Sequence, residues 1–180
     1  MPDNNYHFVT HWRVKGTCVE VADLLEKTEE LPRWWPSVYL DAKVLKPGGV
    51  HALGEEVSLF TKGWLPYTLR WDFTVVEQRY PHGSALEARG DFVGRGVWTF
   101  EQDGDVVDVT YDWSVKAEKP LLRALTPVLR PVFSENHHWA MRMGERSLEL
   151  ELARIHAGSE SERLAIPPPP GPTFYRRKAR

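Results

Sequence analysis

Residues 121–155 place apolar positions at steps of three and four. Phe133, His137, Ala140, Met141, Gly144, Leu148, Leu152 and Ile155 fall on one face of a 3.6-residue helix. The opposite face carries Arg142, Glu145, Arg146, Glu149 and Arg154, as a solvated face does. A one-sided helix of this length must lie against something apolar, and only the β-rich region before it offers enough surface. His137 sits at the centre of the apolar face, and Gly144 leaves a gap where a backbone can approach. The helix therefore closes either a packed core or a cavity. Pro127 and Pro131 predict that its first third is kinked, or split from 132–155.

Upstream, period-two alternation dominates. Tyr6, Phe8, Thr10, Trp12 and Val14 alternate with His7, His11, Arg13 and Lys15, as in a half-buried strand. A helix follows from about Cys18 to Glu29, with Thr17 as its N-cap. Pro32 and Pro36 bracket Trp34-Trp35, which predicts a short helical turn before the next strand. That strand carries Val38, Leu40, Ala42 and Val44, and another carries Val57, Leu59 and Thr61. The clearest alternations are Tyr67, Leu69, Trp71, Phe73, Val75 and, after the Asp103-Gly104 turn, Val107, Val109, Tyr111, Trp113, Val115. Short turns between successive strands imply an antiparallel meander. Its apolar face must curl around the final helix.

A chain of 180 residues is one domain in size. The sequence divides into a domain over 1–157 and a tail over 158–180, with Pro167–Pro170 as a polyproline II segment and Arg176-Arg177-Lys178-Ala179-Arg180 as a basic end. A net charge of −2 gives no field for nucleic acid. Lone Cys18 excludes an internal disulfide and fits a reducing compartment. With no apolar run of about 20 residues and no signal pattern at the N-terminus, the expectation is a cytoplasmic protein without an integral membrane segment.

The arrangement resembles the START-like helix-grip superfamily (SRPBCC), which includes pollen-allergen-like carriers and a bacterial branch of polyketide cyclase/dehydrase-like and lipid-transport-like proteins. The resemblance spans about residues 6–156. It rests on Pro32-Arg33-Trp34-Trp35-Pro36, Leu65-Pro66-Tyr67, Gly90-Asp91-Phe92, Gly94, Gly96, Trp98, Tyr111-Asp112-Trp113, Asn136-His137, Met141 and Gly144. It implies an α+β fold: a curved antiparallel sheet of six to seven strands wrapped around a long C-terminal helix, with short helices between strands one and two. It also implies an internal apolar cavity, and no particular reaction, because the scaffold hosts carriers and enzymes alike.

The candidate ligand-binding residues are Thr10, Trp12, Tyr67, Trp71, Phe73, Trp98, Tyr111, Trp113, Asn136, His137 and Met141. His137 is either a buried neutral imidazole held by a neighbour, a polar contact for a ligand, or a general acid–base group, with Tyr111 as the weaker catalytic candidate. The hydroxyls of Thr10, Thr61, Tyr67 and Tyr111 either orient a ligand or satisfy nearby backbone. His7 and His11 stand roughly 13 Å apart on a strand and cannot share an ion, so no metal and no cofactor is expected. GDFVGRG lacks the spacing and the strand-to-helix setting of a phosphate loop.

The leading expectation is a protein that sequesters or carries a lipid, polyketide or aromatic compound in a cavity on the order of several hundred Å³. A cyclase/dehydrase-like enzyme is the alternative, and a structural protein with a core filled by tryptophans is the third. Exposed Trp34-Trp35 or Trp64 would favour a homo-oligomer or a lipid-facing rim. No partner for the tail can be named from its sequence.

Overall fold

The computed structural model describes residues 4–174. Strand β1 (Asn5–Lys15) leads through Gly16 into α1 (Cys18–Glu26). A capping box starts α1: the Thr17 side chain accepts from the Glu20 N–H, and the Glu20 carboxylate accepts from the Thr17 N–H at 2.8 Å. The helix stops at Glu26, short of Glu29, because the backbone at Lys27 leaves helical geometry before a 3₁₀ turn at Thr28–Glu30. The short helix α2 (Leu31–Trp34) follows, with Pro32 in its first turn. Then come β2 (Tyr39–Lys46), β3 (Glu56–Lys62), β4 (Thr68–Gln78), β5 (Gly83–Gly90), β6 (Phe92–Asp103) and β7 (Val106–Ala117). The long helix α3 (Pro120–His156) and the short α4 (Glu160–Ala165) complete the chain.

All seven strands form one antiparallel sheet in the order β1-β7-β6-β5-β4-β3-β2. It is a meander in which only β1 leaves sequence order, pairing with β7 from Asn5↔Lys116 to Lys15↔Val106. Register shifts interrupt β2–β3 and β4–β5, where a bulge bends a strand and increases its twist. The sheet's apolar face, α1, α2 and α3 enclose one core containing Trp12, Trp34, Trp35, Phe73, Trp98 and Leu148. This is the START-like helix-grip fold.

Helix α3 is continuous through both prolines, so the alternative of a split before residue 132 does not occur. Pro127 and Pro131 are exposed, as is Arg123, one turn before Pro127, so the carbonyls that lose a partner lie on the wet side. Thr126 anchors this part of the helix from its buried side: its hydroxyl donates to Leu122 O at 2.6 Å and meets the Tyr6 hydroxyl at 3.0 Å. The predicted apolar face is otherwise inward except at Ile155, which is 48% exposed. The helix ends there, with His156 paired to Glu20 at 2.8 Å.

Gly144 receives a side chain and not a backbone. A Cβ at this position would collide with the Trp35 indole. Trp34 and Trp35 are accordingly 1% and 2% exposed, so this pair offers no surface for self-association. Trp64 does remain exposed.

The tail re-forms a turn of structure beyond residue 157. Ser159 caps α4 by accepting from the Glu162 N–H, and the Arg154 guanidinium donates to the carbonyls of Ile166 and Pro167. The chain then reaches the β3–β4 turn, where the Thr173 hydroxyl donates to Trp64 O at 2.7 Å. The basic run Arg176–Arg180 lies outside the described residues. Among the described residues no helix is long and apolar enough to cross a membrane.

Candidate functional site

Between the sheet and the middle of α3 lies a hollow of about 120 Å³. A second, of about 70 Å³, lies toward α1, and Tyr39, Trp71 and Tyr111 border both. Of the residues expected from the sequence to meet a ligand, Tyr67, Trp71, Tyr111, Trp113, Asn136, His137 and Met141 line the larger hollow. Phe73 and Trp98 line the smaller one.

Thr10 and Trp12 border neither hollow. Trp12 packs edge-on against Trp35 and tilted against Trp98, each with ring centroids 5.5 Å apart, so aromatic rings fill that end of the interior. Thr10 is half-buried and faces Tyr111 across the β1–β7 pair.

The polar groups around the larger hollow fall into satisfied and unsatisfied sets. Asn136 belongs to the first: its side-chain oxygen accepts from the Leu65 N–H at 2.9 Å, and its amide donates to the Tyr67 hydroxyl at 3.1 Å. It thereby ties α3 to the β3–β4 turn. Gly63 permits this approach, since a Cβ there would strike the Asn136 amide. Thr61 accepts from the Trp71 indole N–H at 3.0 Å. Burial, and then the neighbouring Tyr6, push the Tyr67 hydroxyl above its ordinary range, opposed by its bond to Asn136.

His137 and Tyr111 belong to the second set. The His137 ring stacks on Phe8 at 4.0 Å between centroids, and its Nε2 is shielded from solvent with no hydrogen-bond partner. Burial, with a smaller contribution from His138, lowers its pKa to about 3, so the imidazole is neutral near neutral pH. Tyr111 stacks on Trp98 at 3.9 Å. Its hydroxyl has no hydrogen bond among the described residues, and burial first, then Tyr39 and Asp112, hold its pKa well above the ordinary value. His137 does not hydrogen-bond Tyr67, Tyr111 or Asn136, so these groups do not form a linked proton relay.

Several lining residues escaped the sequence reading, among them Trp35, Tyr39 and Lys62. Trp35 was read as part of a turn and as a candidate exposed surface, not as a wall of the hollow. Tyr39 follows Val38 directly, and both line the hollow: Val38 lies in the turn before β2, and the β2–β3 register shifts just after Tyr39, between Tyr39 and Asp41. Strict alternation cannot register such a shift, although the Pro36-Ser37 entry marks an irregular strand start. Lys62 was invisible for a different reason: alternation with Leu59 and Thr61 assigns it to the wet face, yet it is buried. Among the described residues no three His, Cys, Asp or Glu side chains gather as a metal site requires.

No family model matches this sequence, and no curated protein does. Solved structures do match its shape. TTHA0849 of Thermus thermophilus aligns over 84% of this chain and all of its own, at 15% identity and a TM-score of 0.67. The Zhui aromatase/cyclase of Streptomyces sp. R1128 aligns over 86% and 98% of the two chains, at 14% identity and a TM-score of 0.67. A START superfamily protein of Mycobacterium smegmatis aligns over 75% and 93%, at 14% identity and a TM-score of 0.56. At these identities the likeness concerns the fold.

Proposed function

We propose that the protein binds a hydrophobic small molecule in the hollow beneath α3, as a carrier or sequestering protein. The observation that carries this reading is a mostly apolar and aromatic wall interrupted by His137, whose buried Nε2 lacks a protein partner, and by Tyr111, whose hydroxyl makes no hydrogen bond among the described residues. A buried polar atom left unpaired is costly, and a guest offering a hydrogen bond would remove that cost. At about 120 Å³ the hollow is smaller than a lipid carrier requires. It is comparable to apolar cavities that admit benzene-sized guests. The favoured guest is therefore a compound with one aromatic ring and a few further atoms, able to extend toward the smaller hollow if Tyr39 or Tyr111 turns aside.

A cyclase-like enzyme is the second reading, supported by the free His137 Nε2 at the wall and by the likeness to an aromatase/cyclase. A pKa of about 3 makes His137 a poor proton acceptor at neutral pH, which favours binding over acid–base chemistry. Native mass spectrometry of freshly purified protein tests the leading reading. A retained apolar species, or uptake of one neutral aromatic molecule per chain, is the expected result. Empty protein that takes up none would overturn it.

A further inference from the structure

Among the described residues, Lys62 is the only one lining the larger hollow that carries a formal charge at neutral pH. It is 2% exposed. Its ammonium donates to Gly63 O at 2.8 Å and to the Thr173 hydroxyl at 2.8 Å, both neutral acceptors. Among the described residues no carboxylate stands within ion-pair distance of it. An ammonium has three donors, so among the described residues one remains and the charge is uncompensated. Buried charges are ordinarily paired, and an apolar side chain would fill this position without that cost. Burial also lowers the lysine's pKa.

The second partner is unusual in its origin. Thr173 belongs to the tail, beyond α4, and reaches the β3–β4 turn with its own hydroxyl proton directed to Trp64 O. A neutral hydroxyl is a weaker partner for an ammonium than a carboxylate is. With no second cation at the hollow, a single negative charge is the match.

We propose that Lys62 is the anchor for a carboxylate, so that the molecule taken up is an aromatic or short aliphatic acid. Its acid group replaces the Thr173 hydroxyl on the Lys62 ammonium, and the tail is the occupant of this corner in the empty protein. The inference rests on the binding reading above and adds to it the acidic end of the guest.

Calorimetric titration of the full chain with 3-phenylpropanoate and with 3-phenylpropanamide tests it, since the two differ in charge and little in size. The acid is expected to bind at least about tenfold tighter at pH 7. Lys62→Met should erase the preference by weakening the acid alone, and Lys62→Arg should keep it. Thr173→Ala should tighten the acid several-fold and leave the amide unchanged. Equal affinity of acid and amide for the wild-type protein would overturn the Lys62 assignment. Failure of both compounds while the smaller neutral probe 4-methylphenol binds would also overturn it, leaving the binding reading in place. Failure of all three would overturn both.

Discussion

Gly144 and Trp35 show how one residue decides the packing of α3. Glycine inside a helix is about 1 kcal/mol less favourable than alanine, so propensity alone favours replacement. The indole of Trp35 occupies the space a Cβ would need and reverses that sign. Gly144→Ala is expected to destabilise the protein by about 1–3 kcal/mol in denaturant unfolding. In a Trp35→Leu background the same substitution should become neutral or stabilising, and an unchanged cost there would show that the indole is not the cause. His137 gives a prediction in pH. An unfolded histidine binds its proton near pH 6.5, whereas His137 in the folded protein resists protonation down to about pH 3. Between those values the unfolded state holds the extra proton, so stability falls as pH is lowered. Replacing the stacked ring by Phe should make stability less steep in pH from 6.5 to 4; parallel curves for the two proteins would contradict the assignment.

Elements differ in how openly the sequence declares them. Strands β4 and β7 were legible residue by residue, because one wet and one dry face impose strict alternation. Thr17 as N-cap placed the start of α1 correctly, and Glu20 completes the cap in the structure. Helix α3 was legible in its C-terminal two thirds, where one face is buried. The split considered for its first third does not occur, since the disruptive effect of proline depends on whether the freed carbonyls reach water, a property of the fold. Pro127→Ala should therefore leave the helix content unchanged by circular dichroism while raising stability by about 1–3 kcal/mol. A loss of stability would mean that the proline sets the helix's course. The candidate site was legible where its residues belong to regular elements, as with Trp71, Trp113 and Met141. It was illegible where irregular backbone or distant chain intervenes: Tyr39 follows a register shift, and Lys62 is covered by a tail more than a hundred residues away.

At the scale of the molecule, the fold leaves a small internal space because its largest side chains are engaged with one another. Trp35, Trp12, Trp98, Tyr111, Trp113 and Trp71 form a chain of ring contacts with successive centroids 3.9–5.6 Å apart. That chain stabilises the interior, and its members other than Trp12 border the two hollows instead of filling them. Ala140 stands on α3 at the edge of this space, which makes it the position from which the space can be closed by one substitution. The measurement that bears most directly on the account is calorimetric titration with the one-ring neutral probe 4-methylphenol of the wild-type protein and of Ala140→Phe, both checked for cooperative unfolding. The account predicts saturation at one probe per wild-type chain and at least about tenfold weaker binding to the folded variant. Equal binding by the two folded proteins, or none by the wild type, would contradict it.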